Sequence, residues 1–116
     1  MTASPSPVEP FGHFDTFESF STQAQARGFD ATLVREWAPG TDTGLHTHPF
    51  AVQVQVARGE FSLEVGETTR HLRAGDTFAL DAEVPHAERY GAQGATFWVA
   101  RRHPSPASLP NQQAAS

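Results

Sequence analysis

His46 and His48 stand two residues apart, and a third histidine, His86, follows a Gly75-Asp76 turn and sits directly behind Pro85. In an extended segment, residues two apart point the same way, so the first pair can bring both imidazoles to one point. Gln53 comes five residues after His48 and offers an amide oxygen. Three imidazoles and one oxygen donor from three strands of a barrel make a metal site with open positions, suited to a divalent transition ion that also binds water or substrate. A neutral amide leaves the charge of such an ion uncompensated. The expected centre holds its metal less tightly, acts as a stronger Lewis acid, and disfavours the high oxidation states of oxygen activation on iron.

Other chemistries are closed to this chain by composition. Among 116 residues there is no cysteine, and all eight basic residues are arginine. Disulfides, thiol nucleophiles, Cys-type zinc sites and iron–sulfur clusters are therefore excluded, as are Schiff bases and P-loops. The formal net charge of -5 argues against nucleic acid, whose recognition needs clustered cations. Ser62 is the only serine between Phe29 and Arg102 and has no nucleophile-elbow context.

Around the histidines, strand parity selects further residues. Glu88 and Tyr90 share the parity of His86 and are the acid–base candidates, Glu88 competing with a role as an ion-pair partner of Arg35, Arg89 or Arg101. Gln55 shares the face of Gln53, making it a pocket contact or a strand residue near the rim, while Gln53 itself either ligates or binds a metal-bound water. Arg35 and Arg101 can grip a carboxylate with two hydrogen bonds, or serve as rim charges. Phe50, Phe78, Trp37 and Trp98 can wall a pocket or simply pack. His71, in a polar strand, reads as solvated, and His13 and His103 are given no role.

These residues need a scaffold. Residues 1–10 and 103–116 are rich in Pro, Ser, Ala and Gln and read as flexible tails around a single domain, 11–102. Asp15 and Glu18 form a capping box for a short helix over about 16–27, with Gly28 as its stop. Phe11, Phe14, Phe17 and Phe20 would pack one side of that segment on the core. From Phe29 onward, short β-rich stretches (31–37, 50–57, 60–66, 68–73, 76–80, 86–90 and 95–101) are separated by Gly, Pro and Asp turns, which predicts an all-β sandwich or barrel. In AVQVQV, Val52, Val54 and Val56 take one face and the two glutamines the other, which is either exposed or turned to a polar cavity. No stretch approaches the length of a bilayer span, and a cytoplasmic protein without membrane partners is expected.

The same residues resemble the cupin superfamily. Its first motif runs Gly, five residues, His-x-His, three or four residues, Glu, six residues, Gly, and is matched by Gly40, His46, His48, Gln53 and Gly59, with one residue missing before Gly59. Its second is matched by Gly75, Asp81, Glu83, His86 and Tyr90. Gln53 replaces the usual glutamate, Asp81 and Glu83 replace proline and glycine, and Tyr90 replaces asparagine. The resemblance spans about 33–101 and implies a double-stranded β-helix, a jelly-roll barrel with one short N-terminal helix. It is often a homodimer, and holds one Ni, Fe, Mn, Zn or Cu ion on the three histidines and residue 53. The pattern is similar to that of small cupins that linearise unsaturated uronic sugars. The expected function is Lewis-acid isomerase, tautomerase or lyase chemistry on a small oxygenated molecule, a sugar acid among them. A metal-dependent dioxygenase and a non-catalytic sensing or storage module are the alternatives.

Overall fold

Alternating apolar residues and positive-φ glycines produce long, bent antiparallel strands here rather than many short ones. The computed structural model describes residues 12–104 and consists of helix α1 (Phe17–Ala26) followed by strands β1 (Ala31–Trp37), β2 (Ala51–Val65), β3 (Thr68–Arg73), β4 (Thr77–Leu80) and β5 (Ala87–Arg102). All pairings are antiparallel, in the order β1-β5-β2-β3, with β4 also on β2. The result is an all-β jelly roll with one short helix. No helix among the described residues is long and apolar enough to cross a membrane.

Two pairs of expected strands are continuous. The stretches 50–57 and 60–66 merge into β2 because Arg58-Gly59 forms an irregularity in the β2–β5 ladder instead of a turn, with register shifts between Val56 and Arg58 and between Gly59 and Phe61. Gly59 has φ +87°, and a Cβ there would lie 2.1 Å from the carbonyl oxygen of Gly94. Gly94, at φ +66°, approaches the carbonyl oxygen of Trp37 as closely, and its segment carries the expected strands 86–90 and 95–101 through as β5. Only glycine fits at such contacts.

The core follows strand parity. Val54, Val56, Phe61, Leu63, Leu72, Phe78, Phe97 and Val99 are buried together between the curved strands. A second cluster, Phe20, Ala24, Phe29 and Ala100, joins α1 to the barrel's outside, with Phe14, Phe17 and Trp98 packed against it. Both faces of the AVQVQV segment are therefore buried. The helix is capped by Thr16, whose hydroxyl accepts from the Ser19 N–H at 3.1 Å, so the cap falls one residue after the expected Asp15. Gly28, at φ +91°, ends it. The expected tails fall mostly on 1–11 and 105–116, outside the described residues, as does Phe11. His103 is held by Asp30, its Nδ1 lying 3.0 Å from Oδ1.

Candidate metal centre

His46 and His48 lie on the loop entering β2, and His86 directly precedes β5. An antiparallel bridge between His46 and His86, with N–H···O bonds of 2.9 Å in both directions, brings the two loops together. One ligand atom from each of His46, His48 and His86 lies within 4.8 Å of the others. Nδ1 of His46 lies 2.8 Å from the Gly44 carbonyl oxygen, and Nδ1 of His86 lies 2.8 Å from that of Val84. Since a carbonyl only accepts, Nδ1 is the donor in each ring and Nε2 is the nitrogen left for a ligand. Backbone bonds of this kind orient the imidazoles of metal sites. The ring of His48 stacks on Phe50 at 5.0 Å between centroids.

The buried Glu88 sits beside this group. Its Oε2 is 3.4 Å from Nε2 of His86, and its Oε1 accepts a hydrogen bond from the Tyr90 hydroxyl. Burial disfavours the Glu88 carboxylate, but the hydrogen bonds from His86 and Tyr90 outweigh it and hold the carboxyl below its ordinary value. Burial likewise pulls the His86 imidazole down, yet its bonds to Glu88 and to the Val84 carbonyl bring it above the usual histidine value. His48 is pushed down by burial and by the neighbouring His46 and His86. Tyr90 is driven well above the ordinary phenol range, by burial and by the adjacent Glu88 charge, and stays a donor.

The histidines open onto a cavity of about 110 Å³ whose walls include Trp37, Val52, Val54, Phe78, Leu80 and Phe97. Arg35, Phe50, Glu88 and Arg101 also line it. The Arg35 guanidinium lies 4.1 Å over the Trp37 ring, and that of Arg101 lies 4.7 Å over Phe50. Residues 33–100 match the cupin domain family. The chain is a cupin.

Solved cupins share this fold. The Schizosaccharomyces pombe Cnp3 cupin domain superposes with a TM-score of 0.60 at 14% identity, over 72% of this chain and 57% of that one. The DMSP lyase DddQ from Ruegeria pomeroyi gives 0.61 at 24% identity, over 68% of this chain and 41% of that one. KdgF from Halomonas sp. gives 0.54 at 17% identity, over 63% and 69%. This cupin thus spans little more than half the length of the Cnp3 domain and less than half of the lyase. No curated protein matches its sequence.

Measured against expectation, the structure brings together His46, His48, His86, Glu88, Arg35, Arg101, Phe50 and Phe78. Tyr90 is not among the lining residues and meets the site through Glu88, to which it donates, and through Trp37, on which it stacks at 4.8 Å. Glu88 pairs with His86 and Tyr90 rather than with an arginine. Three expectations are corrected. Gln55 leaves the pocket for the opposite face of β2, where its amide grips the backbone of Phe14, accepting from N–H at 2.8 Å and donating to the carbonyl at 2.7 Å. Gln53 has the same parity and is buried on that side, away from the histidines, because the valines and not the glutamines turn inward. Trp98 packs under α1 against Phe17 and Phe20, not in the pocket.

The cupin spacing contains the signal that was missed. With three residues between it and His48 and six between it and Gly59, Val52 and not Gln53 occupies the motif's acidic position. Val52 lines the cavity where the family carries its acidic ligand, and it offers no donor atom. Two other histidines stand apart, His71 pairing with Glu60 at 2.9 Å in an exposed position and His13 being exposed, whereas the His103 ring packs on Phe50 at 5.1 Å between centroids.

Proposed function

We propose that this cupin is a metal-dependent enzyme that polarises a carbonyl or hydroxyl of a small oxygenated molecule for isomerisation, tautomerisation or lyase chemistry. The observation that carries the reading is the pairing of three convergent histidines, two oriented by backbone carbonyls, with a buried carboxylate at the mouth of an apolar cavity. Such a donor set fits a divalent transition ion, as three-histidine catalytic sites do. When bound, the ion supplies Lewis acidity and lowers the pKa of what it binds. Three imidazoles bring no charge, and Val52 brings no donor. The donor set is as neutral as it would be with an amide at position 53, so the preference for non-redox over oxygen-activating chemistry is kept.

The chain's own residues supply the rest. Glu88 Oε2 faces the histidines and takes the proton leaving a substrate carbon or hydroxyl, then returns it. Tyr90 keeps its own proton and holds Oε1, so that Oε2 is the oxygen free to exchange. The Val54, Phe78 and Phe97 wall excludes water. A direct test incubates the zinc-loaded protein in D2O with a panel of hydroxy and keto acids, including unsaturated uronates. Deuterium exchange at carbon without oxygen consumption is expected. Oxygen consumption by the iron form without exchange would replace this reading with a dioxygenase.

A further inference from the structure

The cavity is polar around the histidines and apolar along its strands. Val54 stands opposite Phe78 on β4 and Val99 on β5, and Val52 stands opposite Leu80, so three neighbouring strands present one continuous apolar belt to it. Phe78 and Phe97, 6.0 Å apart between centroids, back the belt onto the buried Phe61. The polar lining groups are engaged elsewhere: Glu88 pairs with His86, and the guanidinia of Arg35 and Arg101 lie over Trp37 and Phe50. No belt side chain can donate or accept a hydrogen bond, and the β2 backbone is paired on both sides. At about 110 Å³ the cavity is smaller than the about 150 Å³ that holds one benzene ring, which leaves room for about four or five non-hydrogen atoms.

We infer that the substrate carries a bare alkyl group of no more than about four carbons beside its reacting carbonyl or hydroxyl, seated against Val54, Phe78 and Val99. This deepens the reading above and rests on it for the reacting end, while the alkyl seat stands on the cavity alone. Each methylene taken into the belt adds about fourfold to affinity, until the Phe78 and Phe97 rings stop the chain. A hydroxyl in its place loses its water and finds no partner. Polyhydroxy chains, sugar acids among them, are selected against, and the class that fits is a short-chain oxo or hydroxy compound with a hydrocarbon end.

The unbranched 2-oxo acids from pyruvate to 2-oxooctanoate serve as probes, with galacturonate as the polyhydroxy counterpart. Binding is followed through the Val54 and Val99 methyl resonances of the metal-free and zinc-loaded protein, with zinc content measured separately. In either form affinity is expected to climb about fourfold per carbon and to stop climbing once the alkyl group exceeds about four carbons. Galacturonate is expected to leave both methyl resonances in place. Val54→Ala should raise the accepted length by about one or two carbons and Val99→Leu should lower it, with zinc stoichiometry unchanged in both. Affinity independent of chain length, a climb that continues undiminished to 2-oxooctanoate, or galacturonate moving the two methyls as the oxo acids do would overturn the proposal, as would a limit that neither variant moves. Failure to take up zinc would defeat the metal-site reading instead, and the chain-length series on metal-free protein would still decide the alkyl seat.

Discussion

Glu88 and His86 form a buried pair, Oε2 to Nε2 3.4 Å, on the same imidazole nitrogen that a metal would take. The pair is charged only when Glu88 is ionised and His86 is protonated. Glu88 lies below its ordinary 4.5 and His86 above its ordinary 6.5. The stabilisation of the metal-free protein is therefore complete between about 4.5 and 6.5. It is lost as pH falls through the lowered Glu88 value, and again as pH rises through the raised His86 value. Thermal melting of metal-free protein across pH should trace this plateau, and a melting temperature that keeps rising past pH 8 would contradict it.

A proton on His86 competes with a metal for the same nitrogen. Zinc affinity should rise with pH until His86 has lost its proton, at a midpoint above the usual histidine value, and zinc uptake should release protons. Glu88→Gln removes the partner that holds that proton and should shift the midpoint downward. Calorimetric titration in buffers of different ionisation enthalpy measures the release directly.

Gln53→Ala should leave metal content unchanged, because Gln53 lies on the side of β2 away from the histidines. Elemental analysis of the variant checks this, and a clear loss of metal would return Gln53 to the ligand set.

Gln55→Ala should detach the segment before α1, since one amide satisfies both backbone groups of Phe14. The expected cost is about 1–3 kcal/mol. Faster proteolysis ahead of the helix, with metal content intact, would distinguish this anchoring from a pocket role.

Gly94→Ala should destabilise the fold, because its Cβ would lie 2.2 Å from the Trp37 carbonyl oxygen at a positive φ. Strain alone is worth about 1–3 kcal/mol. Since Trp37 lines the cavity, the variant should also perturb the Trp37 indole resonance, which a purely remote change would not.

The histidine triad was legible because its signals are local: a His-x-His spacing, and a histidine behind a turn and a proline. The all-β class and the short helix followed from β-rich runs and from Gly28. Which face of AVQVQV looks inward was not legible from alternation, since period two groups residues without orienting them. Here α1 and the segment before it bury the outer face as well, so that glutamines and valines are equally hidden. Trp98 was misplaced for the same reason. Gly59 read as a turn because a positive-φ glycine serves a tight turn and a bent strand alike; only its contact with Gly94 separates them.

Whether the three histidines hold a metal decides the proposed chemistry. Elemental analysis of protein purified without added metal, set beside His86→Ala, tests this most directly. The wild type should carry a transition metal approaching one per chain and the variant little or none. A wild type without transition metal, or a variant that retains as much, would contradict the account.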